Sequence, residues 1–157
     1  MKTIATDNPF SKGESETLAT LVGMIIPAST KYNVPGAEDD TILADILGMA
    51  RKHVETIAEG LKDLDAQAQS EHNASFSSLD HDVRMTIVEN FQITLPEFIR
   101  SIASIAVQCY YRDGRVMESL GMEARPPYPK GFELEQGDWS LLDPVRARGK
   151  IWRDATQ

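Results

Sequence analysis

The stretch at 95–113, LPEFIRSIASIAVQCYYRD, constrains the fold more than any other part of the chain. Phe98, Ile99, Ile102, Ile105, Ala106, Cys109 and Tyr110 recur at helical spacing and cover more than half the circumference of a helix. A helix so widely apolar has to lie among other helices, and three further segments offer it faces. Ser11 and Glu14 have the spacing of a capping box, and Leu18, Leu21, Val22, Ile25 and Ile26 follow at i, i+3, i+4, i+7 and i+8 until Pro27 ends the run. Behind the acidic Glu38, Asp39 and Asp40, an apolar stripe from Leu43 to Ala68 predicts one continuous rod of about seven turns, roughly 40 Å long. A third helix is expected from Ser78, with Leu79, Val83, Ile87 and Phe91 inward.

Local signals set the remaining boundaries. Thr94 and Glu97 read as a second capping box, with Pro96 in the first turn and Ile93 stapled onto Phe98. Ser101, Ala103, Ser104 and Ala106 are small enough for close helix approach. Phe76 is expected to anchor the polar loop at 70–78, and a short helix with Val116, Met117 and Leu120 is expected to close at Gly121. The reading is all-α: a helical domain of four to five helices at 1–121, then an extended arm at 122–157. That arm holds Pro126, Pro127, Pro129 and Pro144, yet also both tryptophans, Trp139 and Trp152, where a disordered linker would be poor in aromatics. It is expected to pack either on this domain or on a partner.

Charge divides the chain in the same place. Residues 1–121 carry 10 Lys+Arg against 18 Asp+Glu, whereas 122–157 carry 6 of each, with Arg146, Arg148, Lys150 and Arg153 near the end. The net charge of −8 argues against nucleic acid as a partner, because polyphosphate binding needs clustered basic residues. With 41% hydrophobic and 25% charged residues, the 157-residue chain can bury one real core. No stretch reaches the length that spans a bilayer, so an integral membrane protein is not expected.

Motif-borne chemistry is not signalled. The sequence contains no G-x-G-x-x-G, Walker, H-E-x-x-H or G-x-S-x-G pattern. His53, His72 and His81 fall on different elements without metal-ligand spacing, so no metal site is expected. His81-Asp82, with Arg84 near them, reads as helix-start chemistry rather than an acid/base pair. Cys109, the one cysteine, reads as a small core residue, since burial raises a thiol pKa. No catalytic or cofactor-binding residue is assigned. Partner contact is expected instead at Tyr110 and Tyr111, whose rings stand about 100° apart on a helix, and along Arg125, Pro126, Pro127, Tyr128 and Pro129, with Trp139 and Trp152 as anchors.

The order of short motifs resembles a known family. LVGMIIPA is followed by PGA at 35–37, then LDAQAQ, F-S-S-L before a helix with Arg84, CYY, LG, and PPYPKG, which takes the resemblance from about Leu18 to Gly131. These features resemble the small subunit (subunit 3, or gamma) of gluconate 2-dehydrogenase and related flavin-dependent sugar and alcohol dehydrogenases. The resemblance implies an all-helical, noncatalytic partner of a large FAD-containing subunit of the glucose-methanol-choline (GMC) type. That large subunit would carry the flavin and the catalytic histidine, and this chain would support its folding, stability or export in a heterodimer oxidising CH-OH groups of sugars, glycosides or related alcohols. In such complexes a cytochrome c subunit can accept the electrons. The family often carries a twin-arginine leader; MKTIATDNPF is neither that nor a signal peptide, so the expected location is cytoplasmic, or periplasmic if a leader was removed. The competing expectation is a stand-alone helical enzyme or ligand-binding protein with an inter-helix pocket.

Overall fold

The computed structural model describes residues 8–126, 128–133 and 135–151. The chain divides into two compact units, Met1–Arg125 and Pro126–Gln157. Every regular element among the described residues is helical, and the one β-bridge joins Ser29 to Val34.

In the first unit α1 spans Lys12–Ile25 and begins as its sequence predicts. The Ser11 side chain accepts from the Glu14 N–H, while the Glu14 carboxylate accepts from the Ser11 N–H. Thr17, Leu18, Leu21 and Val22 form its buried face. After Pro27 the chain turns back through the Ser29–Val34 bridge, and the Ala37 N–H donates to the Ile26 carbonyl at 2.9 Å. That return brings Asp39 to the start of α2, where its side chain caps the Thr41 N–H.

The expected seven-turn rod is two helices. α2 spans Asp40–Ala50, a 3-10 turn occupies Arg51–His53, and α3 spans Val54–His72. At His53 the backbone leaves helical values (φ −132°, ψ 29°). Both halves are apolar on one side, so the stripe runs on through the break; both pack on α5, and α3 packs on α1 and α4 as well. Spacing records which side is apolar and carries no sign of a change of direction at one residue.

α3 ends at Asn73 in the left-handed region, φ 53°. The next segment is pinned by Phe76, whose ring is fully buried and whose N–H donates to Asp65 Oδ1 at 2.8 Å. A 3-10 turn at Phe76–Ser78 precedes α4, which spans His81–Thr94 with Asp80 as N-cap, two residues beyond the expected start. α5 spans Pro96–Tyr110.

The second capping box does not form. Thr94 still belongs to α4, and its hydroxyl donates to the Asn90 carbonyl; Glu97 pairs with Arg100. Leu95 serves both helices: its N–H closes α4 on Phe91, and its carbonyl accepts from Phe98 and Ile99. With the junction reduced to one residue, Thr94 has no room to be a cap. Ile93 consequently points out, 81% exposed, and it is Phe91 that meets Phe98, edge-on at 6.4 Å.

Close approach to α5 also comes from a residue other than those expected. Ser101 and Ser104 are exposed, and of the small residues on α5 only Ala106 is fully buried. The ring of Phe98 instead lies over Gly60 of α3, so near that a Cβ there would fall within 3.0 Å of three ring atoms. Glycine in mid-helix weakens α3 by about 0.5–1 kcal/mol relative to alanine, and the fit of the Phe98 ring offsets that cost. α6, Gly114–Ser119, follows with Asp113 as its cap and ends at Gly121, φ 73°. The second unit contains a 3-10 turn at Trp139–Leu142, capped by Asp138, and α7 at Asp143–Ala147 with Pro144 in its first turn. The arm thus holds two short helical stretches where an extended arm was expected, and Pro144 sits where its missing N–H costs little.

Candidate interaction surfaces

The residues expected to meet a partner fall into three groups. Tyr110 is a core residue, and its phenolic O–H donates to the Pro35 carbonyl at 3.1 Å. Burial, then the charges of Tyr111, Asp113 and Glu38, holds that phenol above its ordinary pKa. Tyr111 is 54% exposed and stands edge-on against Tyr110, ring centres 5.3 Å apart. The inner ring fixes the direction of the outer one. Arg125 pairs with Glu123 at the end of the first unit.

Among the described residues of the second unit, large apolar side chains are exposed. Tyr128 is 86% exposed and Trp139 63%, and Leu141, Leu142, Val145 and Ile151 are exposed as well. Pro126 and Pro129 flank Tyr128. Pro127 and Trp152 lie outside the described residues. An aromatic and aliphatic run of this kind, with Arg146, Arg148 and Lys150 beside it, has the composition of an interface core with a charged rim.

Electrostatics in the first unit centre on a group that sequence reasoning did not find. Arg115 reaches Asp39 through both terminal nitrogens, at 2.7 and 3.1 Å, and Asp113 at 3.0 Å. Hydrogen bonds from Arg115 hold both carboxyls below the usual range, and the two carboxylates push the guanidinium up in turn. The network ties the start of α6 to the start of α2, and its Arg115 lines an open cleft of about 600 Å³ with the 28–35 loop, Glu118 and Ser119. Arg112 binds Asp45 at 2.9 Å and fastens the end of α5 to α2. Asp39 and Arg115 are 76 residues apart, and no local pattern links them.

A second cleft, about 530 Å³, lies between α1, the 36–38 turn and α4. Ala19, Met24 and Pro27 form apolar walls, Glu38 and Arg84 supply charge, and His81 lines the cleft beside them. Among the described residues no group of three or more His, Cys, Asp or Glu side chains is placed to hold a metal ion. Cys109 is buried against Met49, sulfur to sulfur 3.4 Å, and burial pushes its thiol pKa up. Such a thiol is a poor nucleophile. No described helix is long and apolar enough to cross a membrane.

This geometry defines a class: a small all-helical protein whose shifted ionisable groups are engaged in caps, ion pairs and packing, and whose second unit exposes large apolar side chains among its described residues. The family model for gluconate 2-dehydrogenase subunit 3 matches residues 12–123, and the chain belongs to that family. The match covers α1 to α6 and stops short of the proline-rich run at 125–129. Neither a curated protein nor a solved structure gave a match.

Proposed function

We propose that this chain is the noncatalytic small subunit of a heteromeric FAD-dependent oxidoreductase acting on CH-OH groups of sugars, glycosides or related alcohols. The flavin and the oxidation chemistry belong to a large GMC-type subunit, which this chain binds and supports during folding. One observation carries the reading: the matched region 12–123 coincides with the helical unit that holds the continuous core. The uncovered side chains of the second unit add to it. Tyr128, Trp139, Leu141 and Ile151 gain most by burial against another chain, and aromatic anchors dominate interface energetics.

The test is co-expression of the tagged chain with the large flavoprotein subunit, followed by the absorption spectrum of what co-purifies. A yellow complex with flavin bands is expected. Deleting 126–157 should release the partner and leave the helical unit folded by circular dichroism. A colourless chain purifying alone would overturn the assignment, and a complex unaffected by the deletion would remove the arm from it.

A further inference from the structure

Every described residue of the second unit is exposed, yet the unit holds a 3-10 turn at Trp139–Leu142 and the five-residue α7. Asp138 caps the turn through the Ser140 N–H at 3.0 Å, and Asp143 pairs with Arg146 at 3.2 Å. An exposed ion pair stabilises little, and helices this short are marginal in water without packing. Burial is the missing contribution, and Tyr128, Trp139, Leu141 and Ile151 are the side chains able to supply it.

Charge in this unit is sorted by sign along the chain. Between residues 133 and 150 the acids all come first, from Glu133 to Asp143, and the bases follow, from Arg146 to Lys150. Asp138 and Asp143 are engaged within the unit as cap and ion-pair partner. Glu133 and Glu135 on one side of the helical pair, and Arg148 on the other, make no ion pair among the described residues. An anionic bilayer carries one sign of charge, and it would repel Glu133 and Glu135 while attracting the basic end. The surface of a folded protein can meet both signs in register.

We propose that the second unit docks on a bipolar face of the large subunit: an apolar patch for Trp139 and Leu141, carboxylates opposite Arg148, and basic side chains opposite Glu133 and Glu135. The inference rests on the subunit reading above and specifies the chemistry of the surface that receives the arm. The charge order also fixes the direction in which the arm lies, because the reverse direction brings like charges together. The family match ends at residue 123, so this contact lies outside the matched region.

The experiment measures the affinity of the full chain for the separately purified large subunit at low and high salt, with circular dichroism as a check on the helical unit. Arg148→Glu should weaken binding at least about tenfold at low salt, and less at high salt, because it brings like charges together. Glu133→Lys/Glu135→Lys should behave in the same way, whereas Trp139→Ala should weaken binding equally at both salt concentrations. Wild-type affinity in either charge variant overturns the inference and leaves the subunit reading intact. Tighter binding by Glu133→Lys/Glu135→Lys also overturns it, because the arm would then answer to negative charge alone. Saturable binding of the wild-type chain to phosphatidylserine–phosphatidylcholine vesicles, lost in Arg148→Glu, assigns the arm to a bilayer surface and overturns the docking role. Absence of any wild-type affinity for the large subunit sinks the subunit reading and this inference together.

Discussion

Tyr110 and Pro35 are joined by one hydrogen bond across 75 residues of chain, the phenol on α5 closing on the carbonyl of the loop between α1 and α2. The bond is the polar end of an otherwise apolar side chain, and it holds the return loop against the central helix. Tyr110→Phe should lower stability by about 0.5–1.5 kcal/mol, the usual net worth of such a bond, seen as a lower urea midpoint. Tyr111→Phe, at a half-exposed ring, should stay within about 0.5 kcal/mol of wild type. Equal losses from both would show that the Pro35 contact contributes nothing.

Gly60 should not tolerate a side chain. Gly60→Ala adds a methyl group where the Phe98 ring already lies. Helix propensity favours the change by about 1 kcal/mol, whereas overpacking a core costs about 1–3 kcal/mol. A net loss is expected, read as a lowered melting temperature. In the double variant Gly60→Ala/Phe98→Leu the added methyl should cost less than it does beside Phe98.

Acid should weaken the fold through three carboxylates. Hydrogen bonds from Ser11 lower the pKa of Glu14, and Arg115 lowers those of Asp39 and Asp113. A carboxyl depressed in the folded state contributes stability above its unfolded pKa, about 3.9 to 4.3, and that contribution is lost as pH falls through the folded value. Urea midpoints should therefore hold from neutral pH to about pH 4.5 and then decline. Arg115→Gln should flatten the decline by removing the shifts at Asp39 and Asp113. A decline of unchanged depth in that variant would place its source elsewhere.

Cys109 should report opening of the core. Its thiol is buried and its pKa raised, so iodoacetamide should label the native chain only as fast as the structure opens. Labelling should accelerate sharply at the urea midpoint. Native labelling as fast as that of the unfolded chain would contradict the burial of Cys109 against Met49.

Much of this fold could be read from local spacing. The Ser11–Glu14 box and the buried face of α1 depend on residues that neighbour one another along a single helix. What spacing could not show depends on the third dimension. The break at Arg51–His53 separates a helix that packs on α5 from one that packs on α1 and α4 as well as α5. Thr94 carries every local mark of a cap, and loses the role because Leu95 alone joins α4 to α5. The tail was legible only as composition: its aromatic content was plain, whereas the exposure of Trp139 and Tyr128 was not. Arg115 with Asp39, and the cleft around Arg84 and Glu38, join residues far apart in sequence.

The contact between Gly60 and Phe98 also bears on how the family can diverge. The two positions cannot drift independently: a lineage that acquires a side chain at 60 must first, or at once, give up the ring at 98. Homologous chains should therefore sort into those with glycine facing an aromatic ring and those with a larger residue facing a smaller one. A bulky residue at both positions would require that these two helices have moved apart.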